Sequence, residues 1–218
     1  MQKNEFALSK SLRALGNMPF GHGVLMSLLA DYHRPNDKIA SWLAGGGIVA
    51  LRRGLYVLGP DLQDKPVSMP LVANLLYGPS YVSLDFALSH YGLIPEGVAT
   101  VTSVTTRRTR LCTTPLGLFS YAHVPPALYS PGICQAANSD GTFYLMATPA
   151  KALCDKVLLT RKLQATSGGA MQQFLLEDLR IDLDALRNVD IGVIAQCAQS
   201  DHKVRHLQAL KIAVEALR

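Results

Sequence analysis

The spacing of apolar residues predicts a helical beginning, in which residues 6–15 form a weak helix and residues 24–32 a more apolar one. A third helix follows Pro35, with Asn36 predicted as its N-cap, and glycines 45–47 are predicted to end it. Two short apolar runs then flank Arg52-Arg53-Gly54, which predicts a β-hairpin over residues 48–58. Helix, turn, helix and hairpin follow one another in the order of a winged helix-turn-helix.

In a winged helix-turn-helix, the second helix enters the major groove of DNA and the hairpin contacts the backbone. Here that helix presents Lys38 and Ser41 on its polar surface, and Arg52 and Arg53 stand at the hairpin tip. Arginine suits phosphate groups and narrow minor grooves. We therefore expect a DNA-binding domain over residues 1–60, separated from residues 67–218 by a segment of linker composition.

The second unit is organised around residues 78–110, where a helix with Leu84, Ala87 and Leu88 on one face precedes a run rich in Val, Thr and Ser. This run, residues 98–106, is predicted to be a strand with a bulge or with both faces buried, because its valines do not alternate. A turn at 114–117 predicts a hairpin that extends from residue 98 to residue 123. The strand leads into three cations, Arg107, Arg108 and Arg110. They form either a second phosphate contact, a surface for an acidic partner, or a solvated hairpin end.

Beyond this hairpin, residues 142–147 form a predicted strand, and Thr148-Pro149 predicts the start of a helix over residues 150–163. We expect that helix to bury its apolar side and to expose five charged side chains: Lys151, Asp155, Lys156, Arg161 and Lys162. After a separator at 167–169, helices are predicted near 171–179, 183–186, 191–199 and 202–217. The fold class is therefore α+β, with a mixed part over 67–162 and a helical tail over 163–218.

Charge and composition favour a nucleic-acid-binding protein without excluding other classes. The net charge of +5 comes from the first two thirds of the chain, because residues 163–218 carry slightly more acidic than basic side chains. The beginning of the chain lacks the apolar stretch of a secretory signal, and no apolar run is long enough for a membrane span. Four scattered cysteines without a CxxC pair are typical of a reducing cytoplasm, so we expect a cytoplasmic protein without structural zinc.

Other candidate chemistry is weak. Gly45-Gly46-Gly47 lacks the Lys-Ser/Thr of a phosphate-binding loop, and His202 with His206 could share a helix face but have no third metal ligand. Ser83 near Asp85, and Ser89 beside His90, lack the context of a nucleophile. The acidic residues between 177 and 184 are typical of exposed helix sides and caps. We expect no enzyme activity, no catalytic residue, no cofactor and no metal.

Longer segments resemble the AbiE-type antitoxin family of abortive-infection systems, whose members are often described as transcriptional regulators. The resemblance covers the chain from about Val24 onwards and rests on these segments: IVALRRGLYVLG, LLYGPSYVSLDFALSHYGLIPEGVATVTSVTTRRTR, TPLGLFSYAHV, FYLMATPAKALCDKV and LLEDLRID. It implies a winged-helix domain that represses its own promoter and a larger C-terminal domain needed for antitoxicity. It also implies a type IV system, in which the nucleotidyltransferase-like toxin is countered without a stable complex.

The resemblance also implies site residues. Arg52, Arg53 and Tyr56 match the family's wing, and Arg34 and Lys38 match the start of its recognition helix. Ala44-Gly45-Gly46 departs from the family, whose members are commonly more basic at the end of this helix. Two functions remain open: a DNA-binding autorepressor and antitoxin, or a protein-binding module whose winged helix no longer binds DNA. The two differ in promoter binding, which should weaken steeply with salt in the first case only.

Overall fold

The fold is a mixed α+β arrangement with two β-sheets, as a computed structural model describes it for residues 10–218. Of the predicted helix at 6–15, residues 6–9 lie outside the described part, and Lys10 begins a short helical stretch. The first unit then contains, in order, β1 (Phe20–Gly21), α1 (His22–Leu28), α2 (Pro35–Ala44), β2 (Ile48–Arg52) and β3 (Leu55–Leu58). Its three strands form an antiparallel sheet in the order β1-β3-β2.

Local sequence accounts for both ends of α2 and for the hairpin. The prediction that Asn36 caps α2 is wrong: Pro35 occupies the first helical position and Arg34 precedes it without a side-chain cap bond. Pro35 fits there because its fixed φ is already helical and no partner for its missing N–H is needed. Gly45 ends the helix as predicted. Gly54 closes the β2–β3 turn with φ +78°, a conformation that favours glycine.

The second unit is built on a six-stranded sheet in the order β6-β7-β5-β4-β9-β8. A short 3₁₀ turn, Pro60–Leu62, leads into it. Up to the end of the sheet the elements are α3 (Met69–Leu76), β4 (Ser80–Val82), α4 (Leu84–His90), β5 (Val101–Thr105), β6 (Arg110–Thr114), β7 (Gly117–His123), β8 (Ile133–Ala137), β9 (Phe143–Ala147) and α5 (Pro149–Leu159). The tail contains α6 (Gly168–Gln173), a π-helical turn (Phe174–Asp178), a 3₁₀ turn (Leu183–Leu186), α7 (Ile191–Cys197) and α8 (Val204–Glu215).

The predicted hairpin from residue 98 to residue 123 is wrong in its first half. The turn at 114–117 does join two antiparallel strands, β6 and β7, but β5 pairs with β7 in parallel. The chain therefore leaves β5, passes β7 and enters the sheet again at the edge strand β6. This crossover connection carries Arg107 and Arg108, and Arg110 is the first residue of β6. Val101 and Val104 lie on opposite faces of β5 and are both buried, which confirms the expected two-sided burial.

The sheet is covered on both faces. On one face, Tyr121 of β7 donates a hydrogen bond to the carbonyl of Ala73 in α3, at 2.8 Å. On the other, Tyr81 of β4 donates to Asp155 of α5, at 2.9 Å. On β5, Ser103 pairs with Tyr121 and its neighbour Val104 pairs with Tyr81. Because successive residues of a strand point to opposite faces, so do the two tyrosines. The fold is thus a sheet between α3 on one side and α4 with α5 on the other.

The β2–β3 hairpin belongs to two hydrophobic cores. Ile48 and Leu58 pack with α1 and α2, whereas Leu51, Leu55 and Val57 join the large core around the six-stranded sheet. The sheet of the first unit is therefore buried on both sides, which explains why all of β3 is buried. This packing fixes where the hairpin tip lies relative to the second unit.

Several expectations for α5 and the tail need correction. Thr148 does cap α5 and Pro149 follows it, as predicted, but Lys151 and Asp155 are fully buried rather than exposed. The predicted separator at 167–169 instead starts α6, because the Ser167 side chain accepts a hydrogen bond from Ala170 N. α8 begins at Val204, so His202 precedes the helix that was predicted to carry it.

Candidate nucleic-acid interface

The tip of the β2–β3 hairpin exposes two cations. Arg52 ends β2 next to a β-bulge, at which the register shifts between Ala50 and Arg52. Arg53 and Gly54 form the turn, and both arginine side chains are exposed. A bulge increases local twist and re-aims the side chains beside it. The predicted arrangement of two arginines at the hairpin tip is therefore present.

Arg52 reaches the second unit. Its Nη2 lies 3.5 Å from the carbonyl oxygen of Leu75, in the last turn of α3, and its Nη1 lies 3.4 Å from the carbonyl of Arg53. The last carbonyls of a helix carry partial negative charge and have no partner within the helix, so a guanidinium there is favourable. β2 also lies beside the edge strand β6. The hairpin tip consequently adjoins the crossover that carries the other arginines.

Tyr77, the residue that follows α3, organises the arginine crossover. The guanidinium carbons of Arg107 and Arg110 lie 5.7 Å and 5.2 Å from the centre of its ring. Its hydroxyl donates to the carbonyl of Arg108 at 3.2 Å, and its ring packs edge-on against Tyr121 at 5.1 Å. An aromatic ring attracts guanidinium groups within about 6 Å of its centroid. One tyrosine thus holds two arginine side chains and the backbone of a third.

The backbone of the crossover is also anchored at its ends. Thr105 Oγ1 donates to the carbonyl of Pro79 at 2.7 Å and accepts from the N–H of Arg107 at 3.1 Å. His123 Nδ1 lies 2.9 Å from the carbonyl of Arg107, and the His123 N–H donates to Thr109 Oγ1 at 3.3 Å. These bonds tie the segment to β5, to β7 and to Pro79, the residue before β4. The arginine side chains therefore project from a fixed backbone rather than from a loose loop.

The arginines of both clusters lack acidic partners. Within residues 10–218, no carboxylate forms a salt bridge with these side chains: Arg52, Arg53, Arg107, Arg108 and Arg110. By contrast, five other cations of the second unit each pair with an acid: Lys151, Lys156, Arg180, Arg187 and Lys211. The hairpin tip and the crossover together form a positive surface that is not neutralised by the described part of the chain.

The candidates on α2 are exposed or half-exposed. Arg34 lies 3.8 Å from Asp37, and both side chains are more than two-thirds exposed, so the pair is weak. Lys38 Nζ lies 5.9 Å from the ring centre of Trp42, and Ser41 is exposed. Ser41 is therefore accessible to a ligand, and Arg34 would reach one by opening an exposed ion pair.

Tyr56, which we expected to contact DNA, packs in the hydrophobic core instead. Its side chain is only 9% exposed, and its ring packs against Phe20 at 6.4 Å and His22 at 6.3 Å between centroids. It lies within the small core because its position on β3 faces α1 and α2. Successive side chains of β3 face the two cores in turn, and Tyr56 faces the one formed with α1 and α2.

The remaining sequence candidates do not assemble into a catalytic or metal site. His206 Nε2 lies 2.9 Å from the carbonyl of Leu163, and His202 lies outside α8. Ser83 bonds to Asp155, not to Asp85, which is paired with Lys156. In the part of the chain that the structure describes, no three His, Cys, Asp or Glu side chains are grouped as metal ligands. In the same part, every helix is too short or too polar to cross a membrane.

Sequence reasoning missed a buried polar cluster in the second unit. Lys151 Nζ lies 2.9 Å from Asp155 Oδ1 and also donates to the carbonyl of Leu128, while Asp155 Oδ2 accepts from Tyr81 at 2.9 Å and Ser83 at 2.7 Å. Burial raises the pKa of Asp155, and the ammonium group of Lys151 and the two hydroxyl donors oppose that rise. The i,i+4 spacing of Lys151 and Asp155 was the available signal, but it is equally typical of an exposed helix pair.

A comparison of the sequence with protein-family models gives no match, and a comparison with curated proteins gives none either.

Proposed function

We propose that this protein is a DNA-binding transcriptional autorepressor and the antitoxin of a type IV toxin–antitoxin system. In this proposal the first unit is a winged helix-turn-helix, with α2 as its recognition helix and the β2–β3 hairpin as its wing. The observation that carries the proposal is the exposed, acid-free pair Arg52 and Arg53 at the hairpin tip. Guanidinium groups in such a position suit the phosphates of a duplex.

The antitoxin part of the proposal rests on the family resemblance. We infer that the protein acts in the cytoplasm, that it represses its own promoter, and that it counters a nucleotidyltransferase-like toxin without a stable complex. In this inference the second unit has a role that is not catalytic. The buried Lys151–Asp155 pair supports a structural role for α5, because a fully enclosed ion pair cannot reach a substrate.

One feature favours the alternative of a protein-binding module. The last residues of α2 and the glycines after it, positions 44–47, carry no cation or amide side chain for reading base edges. A winged helix that no longer binds DNA would keep the fold but would show no salt-dependent binding to a duplex. The two functions are therefore separated by one measurement on the intact chain.

The test is a gel-shift titration with duplex DNA from immediately upstream of the reading frame, repeated at several salt concentrations. We expect binding that weakens steeply with salt, and we expect Arg52→Gln with Arg53→Gln to reduce the log–log salt slope by about 1.8, since each lost phosphate contact removes about 0.9. The matched control is Arg161→Gln with Arg205→Gln, two exposed cations elsewhere. No binding by the wild type would refute DNA recognition, and equal effects of the two double variants would refute the placement of the wing.

The antitoxin role has a separate test. Expression of a nucleotidyltransferase encoded beside this reading frame should stop growth, and co-expression of the protein should restore it. Growth should be restored even though the two proteins do not co-purify, because the proposed mechanism needs no stable complex. Failure to restore growth would reject the antitoxin role and leave DNA binding standing.

A further inference from the structure

The end of α3 brings together cations from both units. Arg52 approaches this helix end from the hairpin, at the Leu75 carbonyl, and Arg107 and Arg110 approach it from the crossover, at the ring of Tyr77. Leu75 and Tyr77 are only two residues apart. The two basic clusters, separated by more than fifty residues in sequence, therefore form one continuous surface.

This surface gathers five positive charges with little local compensation. The Tyr77 ring, the α3 carbonyls and the backbone anchors supply partial negative charge only, and no carboxylate among residues 10–218 completes the neutralisation. Arg107 and Arg110, which lie at the same tyrosine ring, repel one another. An extended polyanion would relieve that repulsion along its whole length, whereas a single small anion would neutralise only part of it.

The surface has the character of a nucleic-acid contact rather than of a protein contact. Protein interfaces commonly have an apolar centre and a polar rim. The most exposed apolar side chain of β6, Leu111 at 66% exposure, follows Arg110 directly and so points to the opposite face of the strand. The face of β6 that carries Arg110 thus presents its guanidinium without a large exposed apolar side chain of the same strand beside it, as suits a phosphate contact.

We propose that Arg107, Arg108 and Arg110 bind phosphates of the same duplex that the hairpin tip contacts, and that Tyr77 is the positioning residue of this composite interface. The inference rests on the proposed function and extends it, because the second unit becomes part of the DNA-binding surface. The duplex then spans both units. Since the backbone of the crossover is fixed by hydrogen bonds, little ordering of that segment accompanies binding.

The salt dependence gives the size of the effect. Five phosphate contacts correspond to a log–log slope of about −4.5, or about 500-fold weaker binding at 200 mM than at 50 mM salt. The two hairpin arginines alone correspond to a slope of about −1.8, or about 12-fold over the same range. The loss of affinity between 50 and 200 mM salt is therefore much larger for the composite interface than for a hairpin-only interface, and a titration resolves the difference easily.

The main experiment compares two triple variants of the full chain on a promoter-proximal duplex of about 30 bp, roughly three helical turns. The test variant is Arg107→Gln, Arg108→Gln and Arg110→Gln. The control is Arg161→Gln, Lys162→Asn and Arg205→Gln, which removes the same charge from exposed positions outside the surface. Asparagine is chosen at Lys162 because φ there is +54° and asparagine tolerates it. We expect the test variant alone to flatten the slope to about −1.8.

Two further variants keep the proposal falsifiable if the triple variant folds poorly. Arg108→Gln changes an exposed side chain that forms no hydrogen bond or ion pair within residues 10–218, and should reduce the slope by about 0.9. Tyr77→Leu removes the ring without a change in charge and should weaken binding several-fold. Tyr77→Phe keeps the ring and should retain most of the wild-type affinity. If Tyr77 acted only through its hydroxyl, the Phe variant would instead bind as weakly as the Leu variant.

The outcomes separate this inference from the proposed function. If the hairpin double variant loses affinity and the crossover triple variant keeps the wild-type slope, the composite interface is refuted and the winged helix stands. If the wild type does not bind the duplex, both fail together. If the control triple variant flattens the slope as much as the test variant, the effect is one of net charge alone and the proposed contacts are refuted.

Discussion

The buried ion pair of Lys151 and Asp155 allows a quantitative prediction about stability. Both side chains are 0% exposed, and Nζ lies 2.9 Å from Oδ1. Lys151→Met keeps a similar length and removes the charge, which leaves the Asp155 carboxyl without its only cationic partner among residues 10–218. Loss of one member of a buried pair costs about 3–5 kcal/mol of folding free energy. Tyr81 and Ser83 still donate to Asp155, so we expect the lower end, about 3 kcal/mol.

Lys156→Met is the matched control, since it changes the same residue type on the same helix. Lys156 pairs with Asp85, and these side chains are 23% and 40% exposed. A partly solvated pair of this kind contributes about 0.2–1 kcal/mol. In urea titrations followed by far-UV circular dichroism, Lys151→Met should lower the midpoint by about 1–2 M and Lys156→Met by a few tenths. Equal shifts for the two variants would refute the importance assigned to the buried pair.

The pH dependence of Lys151→Met provides a second readout. Burial already raises the pKa of Asp155, and removal of the Lys151 charge should raise it further. Above about pH 4 the unfolded chain releases the Asp155 proton, but the folded variant retains it. The stability of the variant therefore falls as pH rises from about 4 to the raised pKa of Asp155. The deficit relative to wild type should therefore be smaller at pH 5 than at pH 8. A deficit that is constant or larger at pH 5 would contradict this account.

Two further predictions concern glycines. Gly132→Ala should destabilise the fold by about 2–4 kcal/mol more than Gly141→Ala in urea titrations: both positions have positive φ, but only at 132 would a Cβ meet neighbours, Val193 Cγ1 at 2.6 Å and Lys151 Cβ at 2.8 Å. Similar losses would mean that backbone strain alone is responsible. Gly59→Ala should abolish most of the DNA binding that we propose although it changes no cation, because a Cβ there would overlap the carbonyl of Gly46 and displace the loop between α2 and the hairpin. Unchanged affinity would show that the loop can adjust.

Sequence patterns located most elements correctly where local chemistry decides the structure. The hairpin turn at Gly54 and the α5 start at Thr148-Pro149 were predicted because a positive φ and a capped helix start have residue signatures of their own. The 3₁₀ turn Leu183–Leu186 also lies where a helix was expected. The failures were of another kind. Pairing of β5 with β7 in parallel depends on distant partners, which alternation within one strand does not specify.

The candidate interface divides in the same way. The sequence by itself determined that arginines cluster at 52–53 and 107–110 and that the chain is α+β, since residue type and short-range periodicity carry that information. Only the tertiary structure decided that both clusters meet at Tyr77, that Tyr56 turns inward and that Lys151 and Asp155 are enclosed. Burial and proximity depend on which elements pack together, and an i,i+4 pair or a strand tyrosine is the same in sequence whether its environment is water or a neighbouring helix.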